Sequence, residues 1–407
     1  MTASAGRPRR VLIIVENLPV PFDRRVWQEA TTLADAGYVV SIICPTGKGF
    51  EARYEVIDGV EIYRHNLPVE GSGALGYAVE YAAALFWEFV LAWRVLVRKG
   101  FDVIHACNPP DTIFLIGAFF KLFGKRFLFD HHDINPELYE AKFGRRDIFY
   151  KLMVSLERWT FKFADVSIAT NKSYERIAIE RGRMSPEKVF VVRSGPDLTR
   201  LKIGPPDNSL KQGRQFLVGY VGVMGKQEGV RYLLQAAHHI VLGLGRKDVQ
   251  FGLVGGGTEL EEMKAYASQL GLSAYVTFTG RIPDADMLAM LNTADVCVNP
   301  DVANEMNDKS TMNKIMEYMA LAKPIVQFDL TEGRFSAQGA SLYAAKNDPL
   351  DFAHKILYLL DNPALRASMG NAGRQRVENE LAWKFEIPKL LAAYETLFSG
   401  KAVPKVA

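Results

Sequence analysis

Short apolar runs of strand length alternate with helix-length segments along this chain, and the series occurs twice. The runs are rich in Val and Ile and are continuously apolar, which is typical of strands buried on both faces of a parallel sheet. We predict strands over 11–15, 39–44, 102–107, 126–130, 165–170 and 189–194, and again over 216–222, 249–257, 276–280, 295–300 and 324–329. The pattern predicts an α/β fold of two Rossmann-like, doubly wound domains that face a central cleft.

The length of the chain supports a division into two domains, because 407 residues exceed the usual size of one hydrophobic core. Residues 201–215 are rich in Pro, Gly and charge, as linkers are. We predict an N-terminal domain over 1–200, a linker over 201–215 and a C-terminal domain over 216–378. The remaining 379–407 is predicted as a helix that packs back toward the N-terminal domain through its aromatic residues.

Charge and cysteine content exclude several classes of protein. The net charge is +3 and there is no zinc-finger spacing, so we expect no nucleic-acid partner. The three cysteines, Cys44, Cys107 and Cys297, each lie in or beside a predicted strand, which indicates buried thiols in a cytoplasmic protein. The start of the chain shows no signal-peptide pattern.

Two apolar segments, 74–97 and 112–123, raise the question of a membrane. The first is nearly long enough to span a bilayer, but Glu80, Glu88 and Arg94 interrupt it. We predict a helix buried against the sheet. The alternative is contact with a membrane surface, which would make the protein peripheral on the inner face of the membrane.

A dense set of polar residues lies at 304–313, between two predicted strands and directly before a short helix. We predict that Ser310 or Thr311 caps this helix, and Asn313 belongs to the same polar loop. The free amides and the positive dipole end of such a helix favour an anionic ligand. The helix carries one carboxylate, Glu317.

Two glycine-rich turns follow the first two strands of the second half. One contains Gly222 and Gly225, and the other contains Gly255, Gly256 and Gly257. Glycine lets backbone amides approach a pyrophosphate closely, and Lys226 is a suitable cation for it. Neither turn matches the dinucleotide fingerprint or a P-loop, so tight turns without a ligand remain the alternative.

In the first half, polar residues also follow predicted strands. Pro21, Asp23, Arg24 and Arg25 form either a substrate-facing loop or an ordinary helix start, while His105, Asp111, His131, His132 and Asp133 end two strands at the same sheet edge. We predict no metal there, because adjacent residues at a strand end point in different directions and no second ligand set has metal spacing. A histidine that binds a sugar or a phosphate and simple loop structure both remain open.

Taken in order, these motifs resemble the retaining glycosyltransferases of family 4, which have the two-domain GT-B architecture. The resemblance covers nearly the whole chain and depends on DRRVWQEATTLADAGYVVSIICP, FDVIHACNPPD, DHHDINPELYE, ADVSIATNKSYERI, VVRSGPD, GYVGVMGKQEG, LVGGG and KIMEYMALAKPIV.

This resemblance implies that the second half binds a nucleotide-sugar donor, expected to be a UDP- or GDP-sugar, without a cofactor. Glu317 would bind the ribose hydroxyls and Lys226 the diphosphate, with His132 beside the transferred sugar. The expected catalytic residues are His132, Lys226 and Lys309. The donor site would also include Gly222, Gly225, Gly255, Gly256, Gly257, Ser310, Thr311 and Asn313. The acceptor side would include Pro21, Asp23, Arg24, Arg25, His105 and Asp111.

The chain departs from the family pattern at three positions. Lys309 stands where the family has the first of two glutamates seven residues apart, and Val223 and Glu228 replace an arginine and a lysine. Lys226 and Lys309 are candidates to take over the phosphate contacts. Glu305 or Asp308 is a candidate for the missing acid.

The resemblance implies retaining transfer of a sugar to a glycan or to a polyprenyl- or other lipid-linked acceptor, in the synthesis of a cell-surface polysaccharide or glycolipid. Two alternatives stay open. One is a sugar-nucleotide epimerase of the same architecture. The other is a catalytically impaired GT-B-like binding protein, which the lysine at position 309 favours.

Overall fold

The computed structural model describes residues 7–66, 73–401 and 403. Of these, the residues within 1–140, 144–194 and 386–407 form a first compact unit. Those within 141–143 and 195–385 form a second. Each unit has its own sheet.

The strands follow one another in the order expected of α/β units. In chain order they are β1 (Arg10–Ile14), β2 (Val39–Pro45), β3 (Tyr54–Ile57), β4 (Val60–His65), β5 (Val103–Cys107), β6 (Arg126–His131), β7 (Val166–Ala169), β8 (Val189–Val191), β9 (Phe216–Val221), β10 (Val249–Val254), β11 (Val276–Gly280), β12 (Val296–Asn299), β13 (Ile325–Phe328) and β14 (Ser341–Ala344).

Helices lie between most of these strands. They are α1 (Arg24–Asp35), α2 (Gly73–Arg98), α3 (Phe114–Lys121), α4 (Asn135–Phe143), α5 (Ile148–Phe163), α6 (Lys172–Arg176), α7 (Val230–His238), α8 (Leu260–Gln269), α9 (Asp284–Thr293), α10 (Glu305–Lys309), α11 (Asn313–Ala320), α12 (Thr331–Ala337), α13 (Pro349–Asp361), α14 (Pro363–Arg376) and α15 (Ile387–Ser399). Side-chain caps begin several of them: Asp23 accepts from Val26 N at the start of α1, and Asp147 accepts from Phe149 N at the start of α5.

The sheet of the first unit has the strand order β3-β4-β2-β1-β5-β6-β7-β8. All neighbours are parallel except β3, which pairs with β4 in an antiparallel hairpin. The central strands β1 and β5 are buried along almost their whole length, because helices cover both faces of a parallel sheet. Helix α15 belongs to this unit, and its Tyr394 is fully buried.

The sheet of the second unit is entirely parallel, with the strand order β11-β10-β9-β12-β13-β14. The segment after the first unit lies against this sheet's helices. Leu201 is fully buried, Asp207 N donates to Thr293 Oγ1 at 2.8 Å, and Lys211 pairs with Asp295. Residues 201–215 therefore belong to the packed structure of the second unit.

The predicted α/β fold is confirmed, and each strand predicted from an apolar run is present. The sequence prediction omitted β3, β4 and β14. The predicted cap of the helix after residue 310 is wrong. Helix α11 begins at Asn313 with Met312 at its N-cap and no side-chain cap, because it starts later than expected: Ser310 is the C-cap of α10, and its Oγ donates back to Met306 O at 2.7 Å.

Helix α2 covers the segment that raised the question of a membrane. Glu88 is fully buried, together with Ala92 and Val95, so one side of α2 packs against the protein. Within residues 7–66, 73–401 and 403, no helix combines the length and apolar character needed to cross a bilayer. The side chain of Glu80 lies outside the described residues.

Candidate active site

The two glycine-rich turns of the second unit touch each other through their backbones. Gly222 N donates to Val254 O at 3.0 Å, and Met224 N donates to Gly256 O at 2.9 Å. A Cβ on Gly255 would lie 1.9 Å from Gly222 O, and Gly255 has a φ of +129°. Because side chains do not fit there, the turns after β9 and β10 form a single backbone surface at the carboxyl ends of the strands, where α/β proteins bind ligands.

Helix α11 is fixed beside this surface by Tyr318. The Tyr318 hydroxyl accepts from Val221 N at the end of β9 and donates to Val298 O of β12. This ring is fully buried. One helical turn earlier, Lys314 lies close to Gly222, since a Cβ on that glycine would be 3.5 Å from Lys314 Cε. The start of α11 is therefore held against the first glycine turn.

Lys314 has two acidic neighbours. Its Nζ lies 2.8 Å from Asp301 Oδ1 and 5.1 Å from the centre of the Tyr220 ring. Burial raises the pKa of Asp301, and the Lys314 ammonium opposes that shift. Burial also raises the pKa of Glu228, again against the attraction of Lys314. The positive charge of Lys314 therefore partly balances two acids, Asp301 and Glu228, beside the glycine turns.

Glu317 projects from the next turn of α11 and is bound by an arginine that the sequence interpretation assigned to the N-terminal domain. Arg200 Nη2 lies 2.6 Å from Glu317 Oε1, and Arg200 Nη1 lies 3.0 Å from Asp284 Oδ2. Both members of the Glu317 pair are only partly exposed. The carboxylate is therefore held in one orientation at this edge of the second unit.

The other predicted donor-site residues lie around this centre. Lys226 is exposed at the start of a short 3₁₀ turn after the first glycine turn. Lys309 ends α10 and pairs with Glu305 at 2.6 Å. Asp308 accepts a hydrogen bond from the Thr331 hydroxyl. Both acids that were candidates for the missing glutamate, Glu305 and Asp308, therefore already have a partner close by. Thr311 is half-buried between α10 and α11, and Asn313 is exposed.

A second polar cluster lies in the first unit, around His132. His132 Nε2 is 2.5 Å from Asp130 Oδ2, and Arg25 holds the same carboxylate through Nε and Nη2 at 3.2 and 2.8 Å. Burial alone would raise the pKa of Asp130, but the charges of Arg25 and His132 outweigh it and hold that pKa well below its usual range. Burial raises the pKa of Glu29, the other partner of Arg25. An ionised Asp130 therefore orients the His132 ring.

Two residues expected on the acceptor side are interior residues instead. The guanidinium of Arg25 is buried, where it neutralises the carboxylates around it. It also donates to Val192 O. His105 is fully buried in β5, where its Nδ1 lies 2.8 Å from the Tyr394 hydroxyl. Burial lowers the pKa of His105. Both side chains support the cluster from inside and do not reach a surface that an acceptor could touch.

The remaining acceptor-side predictions have varied environments. Asp111 is buried and accepts from the side-chain amides of Asn108 and Asn135 at 2.8 Å each, and burial raises its pKa to about 6. Asp23 is the N-cap of α1, and Pro21 is partly buried in the loop before it. Arg24 is exposed at the first position of α1.

The adjacent histidines point apart, as expected for neighbours at a strand end. His131 packs against Phe161 and Tyr174 in the interior, whereas His132 faces Asp130. Among the described residues, the groups close enough to share a metal ion are Glu29, Asp130 and His132, and His105, Cys107 and Asp130. Arg25 contacts Glu29 and Asp130 directly, so a side-chain cation already balances these carboxylates.

Sequence reasoning missed several of these residues. They are Arg200, Lys314, Asp301, Glu29 and Asp130. The helical spacing of Lys314 and Glu317 was a usable signal, because residues three apart lie on one face of a helix. Arg200 gave none, since its partner lies 117 positions away.

Two family models match this chain over separate segments. Residues 23–200 match the model described as Glycosyltransferase Family 4. Residues 215–362 match the model described as Glycosyl transferases group 1. Together the two segments include the His132 cluster, both glycine turns and α11.

Curated relatives are similar over part of their length. A 2-deoxystreptamine glucosyltransferase of Streptomyces kanamyceticus is 26% identical over 259 residues, which cover 60% of this chain and 64% of the relative. An alpha-maltose-1-phosphate synthase of Mycolicibacterium smegmatis is 25% identical over 272 residues, covering 60% of this chain and 66% of the relative. The matched part spans slightly less than two thirds of these relatives.

Solved structures share the fold along almost the whole chain. Sucrose-phosphate synthase of Thermosynechococcus elongatus superposes with a TM-score of 0.78 at 19% identity, covering 97% of this chain and all of that one. HepE of Anabaena, in complex with UDP and glucose, gives 0.71 at 17% identity, covering 95% of this chain and 99% of that one.

Proposed function

Because this chain belongs to the family 4 glycosyltransferases, we propose that it transfers a sugar from a nucleotide-sugar donor to a saccharide or lipid-linked acceptor. The observation that carries the proposal is the arrangement of α11. This helix presents Lys314 and Glu317 three residues apart, beside a backbone surface made by two glycine turns. A cation and a carboxylate beside two glycine turns suit a diphosphate linked to a ribose.

We assign ribose binding to Glu317. An ionised carboxylate accepts hydrogen bonds only, and it has about four acceptor positions. Arg200 Nη2 donates to Oε1 at 2.6 Å, and about four acceptor positions are enough for both Arg200 and a pair of ribose hydroxyls. Hydrogen bonds to a charged group are worth about 1.5–3 kcal/mol. The family resemblance supports this assignment, and the Arg200 contact supplies the means to orient the carboxylate.

We assign the main diphosphate contact to Lys314 rather than to Lys226 or Lys309. The Lys226 side chain is exposed, and the pair of Lys309 with Glu305 is more exposed than the pair of Lys314 with Asp301. Lys314 is partly buried beside Gly222, with its Cε 3.5 Å from the Cβ position of that glycine. A partly buried ammonium acts through a lower dielectric than an exposed one, so it neutralises a departing diphosphate more strongly. Lys226 supplies additional, weaker attraction, whereas the Gly225 amide already donates to Glu228 Oε2 at 3.1 Å.

In the first unit, His132 is the residue that we assign to the transferred sugar. The ring is held by Asp130, which Arg25 keeps ionised, and its side chain is partly exposed. A histidine fixed in this way can offer a hydrogen bond to a hydroxyl without moving. Asp130, Arg25 and Glu29 are positioning residues in this account, because they act through His132.

The proposed reaction proceeds with retention of configuration at the anomeric carbon. The acceptor oxygen forms its bond to that carbon on the face from which the diphosphate oxygen departs, and the acceptor proton passes to a diphosphate oxygen. No protein nucleophile is needed. Lys314, Lys226 and the backbone amides balance the charge on the leaving group, so the cations of this mechanism are side chains. The product would belong to a cell-surface polysaccharide or a glycolipid.

The test begins with a thermal-shift screen of UDP- and GDP-sugars at equal concentration, because a ligand that binds the folded state more tightly raises the melting temperature further. The stabilising donor is then incubated with saccharide and polyprenyl-linked acceptors. We expect free nucleoside diphosphate to form only when an acceptor is added, together with a glycosylated product whose new linkage keeps the donor's anomeric configuration. An inverted linkage, or nucleotide release that ignores the acceptor, contradicts the proposal.

A binding protein without turnover is the second candidate, and three positions favour it. Val223, Glu228 and Lys309 each replace a charged residue of the family pattern with one of different charge. The variant Val223→Arg/Glu228→Lys/Lys309→Glu restores that pattern. If the natural chain binds a nucleotide sugar but transfers nothing while this variant transfers it, the second candidate is correct. If the natural chain transfers the sugar, the first candidate, an active glycosyltransferase, is correct.

A further inference from the structure

Helix α2 of the first unit has an exposed aromatic face. Its large exposed side chains are Phe86, Trp87, Val90, Trp93 and Val97. Phe86, Val90, Trp93 and Val97 follow one another at spacings of four, three and four residues, which places them on one side of the helix. The buried residues Glu88, Ala92 and Val95 lie on the other side. The apolar character of α2 is therefore not explained by packing inside the protein.

Helix α3 extends this face. Leu122, directly after α3, is 81% exposed, and Phe123 beside it is half-exposed. Trp93 of α2 lies 6.1 Å from the Phe119 ring and 5.7 Å from the Phe123 ring, centre to centre. These aromatic contacts join the exposed sides of the two helices into one continuous surface.

Helix α5 forms the third part. Ile148, Leu152 and Trp159 are exposed and recur at four- and seven-residue intervals, so they form one stripe along α5. Trp159 stacks on Phe163, and Phe163 stacks on Phe114 of α3. We call the exposed sides of α2, α3 and α5, including Leu122 and Phe123, the apolar–basic face.

The described charges on the exposed sides of these helices have one sign. Exposed cations flank the apolar stripes, namely Arg94, Arg98, Lys151, Arg158 and Lys162. Among the described side chains within these three helices, the acids are Glu88 and Glu157, and both are fully buried. Lys162 also lies over the Trp159 ring at 4.5 Å.

A basic groove adjoins the α5 part of the face. It has a volume of about 570 Å³ and is lined by Arg158 and Lys162 of α5, together with Arg183 and Lys188 of the following segment. Arg181, which also lines it, pairs with Glu137 and Glu157. Exposed cations around a groove at the border of an apolar surface suit an anionic headgroup whose acyl chains lie under the neighbouring aromatic residues.

We infer that the apolar–basic face docks on the surface of a bilayer that contains anionic phospholipids. Aromatic and aliphatic side chains would enter the boundary between headgroups and acyl chains, and the cations would contact the phosphates. A second copy of the chain is disfavoured, because pairing this face with itself brings cations together without acids. The inference goes beyond the proposed transfer, since it concerns where the protein binds and does not depend on the chemistry.

The test is co-sedimentation of the full chain with vesicles of pure phosphatidylcholine and with vesicles that also contain phosphatidylglycerol. We expect binding to the anionic vesicles that weakens as salt is added. The variant Trp93→Glu/Leu122→Glu should lose at least tenfold in partitioning. Arg158→Gln/Lys162→Gln should lose about fivefold per residue, the equivalent of about 1 kcal/mol for each basic group near the surface.

The matched control is Leu350→Glu, which places the same charge at an exposed leucine of the second unit. This variant should bind vesicles as the natural chain does. The nucleotide-sugar affinity of the natural chain should persist in all three variants, so a failure to bind donor reports on the proposed function and not on docking. Equal partitioning of face and control variants would overturn the inference. So would a dimer that Leu122→Glu dissociates while vesicle binding is absent.

Discussion

Nη2 of Arg200 donates to Oε1 of Glu317 across 2.6 Å, although 117 positions separate the two residues in the chain. The same guanidinium reaches Asp284 of α9 at 3.0 Å. Glu317 is therefore oriented by a residue from a segment that precedes the second sheet. The proposed ribose-binding carboxylate depends on that segment as well as on its own helix.

The substitution Arg200→Met should weaken nucleotide-sugar binding about fivefold. A partly exposed ion pair contributes up to about 1 kcal/mol, and its loss lets the Glu317 carboxylate rotate among positions that do not fit the ribose. Calorimetric titration measures the change. Arg231→Met, which removes a comparable pair with Glu262 at the surface, is the control and should leave the affinity unaltered. An Arg200→Met variant that binds as tightly as the natural chain argues against a positioning role.

Replacing Lys314 should affect the diphosphate selectively. We expect Lys314→Met to weaken a nucleoside diphosphate by tenfold or more while affinity for the nucleoside changes little, because charge-assisted contacts contribute about 1.5–3 kcal/mol. Lys226→Met should weaken the diphosphate by less than about fivefold, since an exposed charge is worth up to about 1 kcal/mol. Titrations of both ligands into both variants make the comparison. Equal losses for nucleoside and diphosphate would remove Lys314 from the phosphate site.

Because the glycine turns touch, we expect a substitution to alanine to destabilise the protein much more at Gly255 than at Gly256. In Gly255→Ala the new Cβ would meet Gly222 O at 1.9 Å, at a backbone φ of +129° that alanine rarely adopts. The backbone of both turns must then shift, at a cost of several kcal/mol, about the range of severe core mutations. Gly256→Ala is the control, because nothing lies within 4 Å of its added Cβ. Thermal unfolding should separate the two variants, and similar melting temperatures contradict the described contact.

Asp111 should make stability depend on pH between about 5 and 7.5. Burial raises its pKa from 3.8 to about 6, so the folded state binds the proton more tightly than the unfolded state. Such a group favours folding when protonated, and stability falls as pH rises toward and through the folded pKa. The loss should be about 1.5 kcal/mol over this interval.

The comparison is with Asp111→Asn, which keeps the shape but has no proton to lose. The melting temperature of the natural chain, relative to this variant, should fall by several degrees from pH 5 to pH 7.5. Any loss of the Asn108 and Asn135 hydrogen bonds in the variant does not depend on pH, so it leaves the slope unaffected. A constant difference at all pH values would show that Asp111 titrates normally.

The sheets could be predicted from sequence because their central strands are continuously apolar. Val11–Ile14 and Val249–Val254 are buried at every position, and each reads as a strand without ambiguity. Strand β3 escaped prediction because Tyr54–Ile57 is largely exposed and lies at the edge of its sheet, where apolar continuity is not required.

The site could be predicted only where the signal was local. Turns such as Gly255–Gly257 are visible because a run of glycines is unfavourable inside a helix or a strand and so indicates a turn. His105 was misplaced because burial by α15 depends on Tyr394, which lies 289 positions further along the chain. The cap of α11 was misassigned because Ser310 ends α10, so that α11 starts two residues later with Met312 at its N-cap. A sequence pattern does not show which distant residues will be in contact, or at which residue a short helix will begin.

The most direct test of the account is the affinity of the natural chain and of Glu317→Gln for the nucleotide sugar that stabilises the protein most. The substitution keeps the shape of the side chain and removes its charge, so it weakens both the ribose contacts and the pair with Arg200. Glu262→Gln, at the surface of α8, is the control. We predict at least a tenfold loss for Glu317→Gln, corresponding to about 1.4 kcal/mol or more, and no change for Glu262→Gln. Equal affinities in all three proteins would contradict a donor site built on α11.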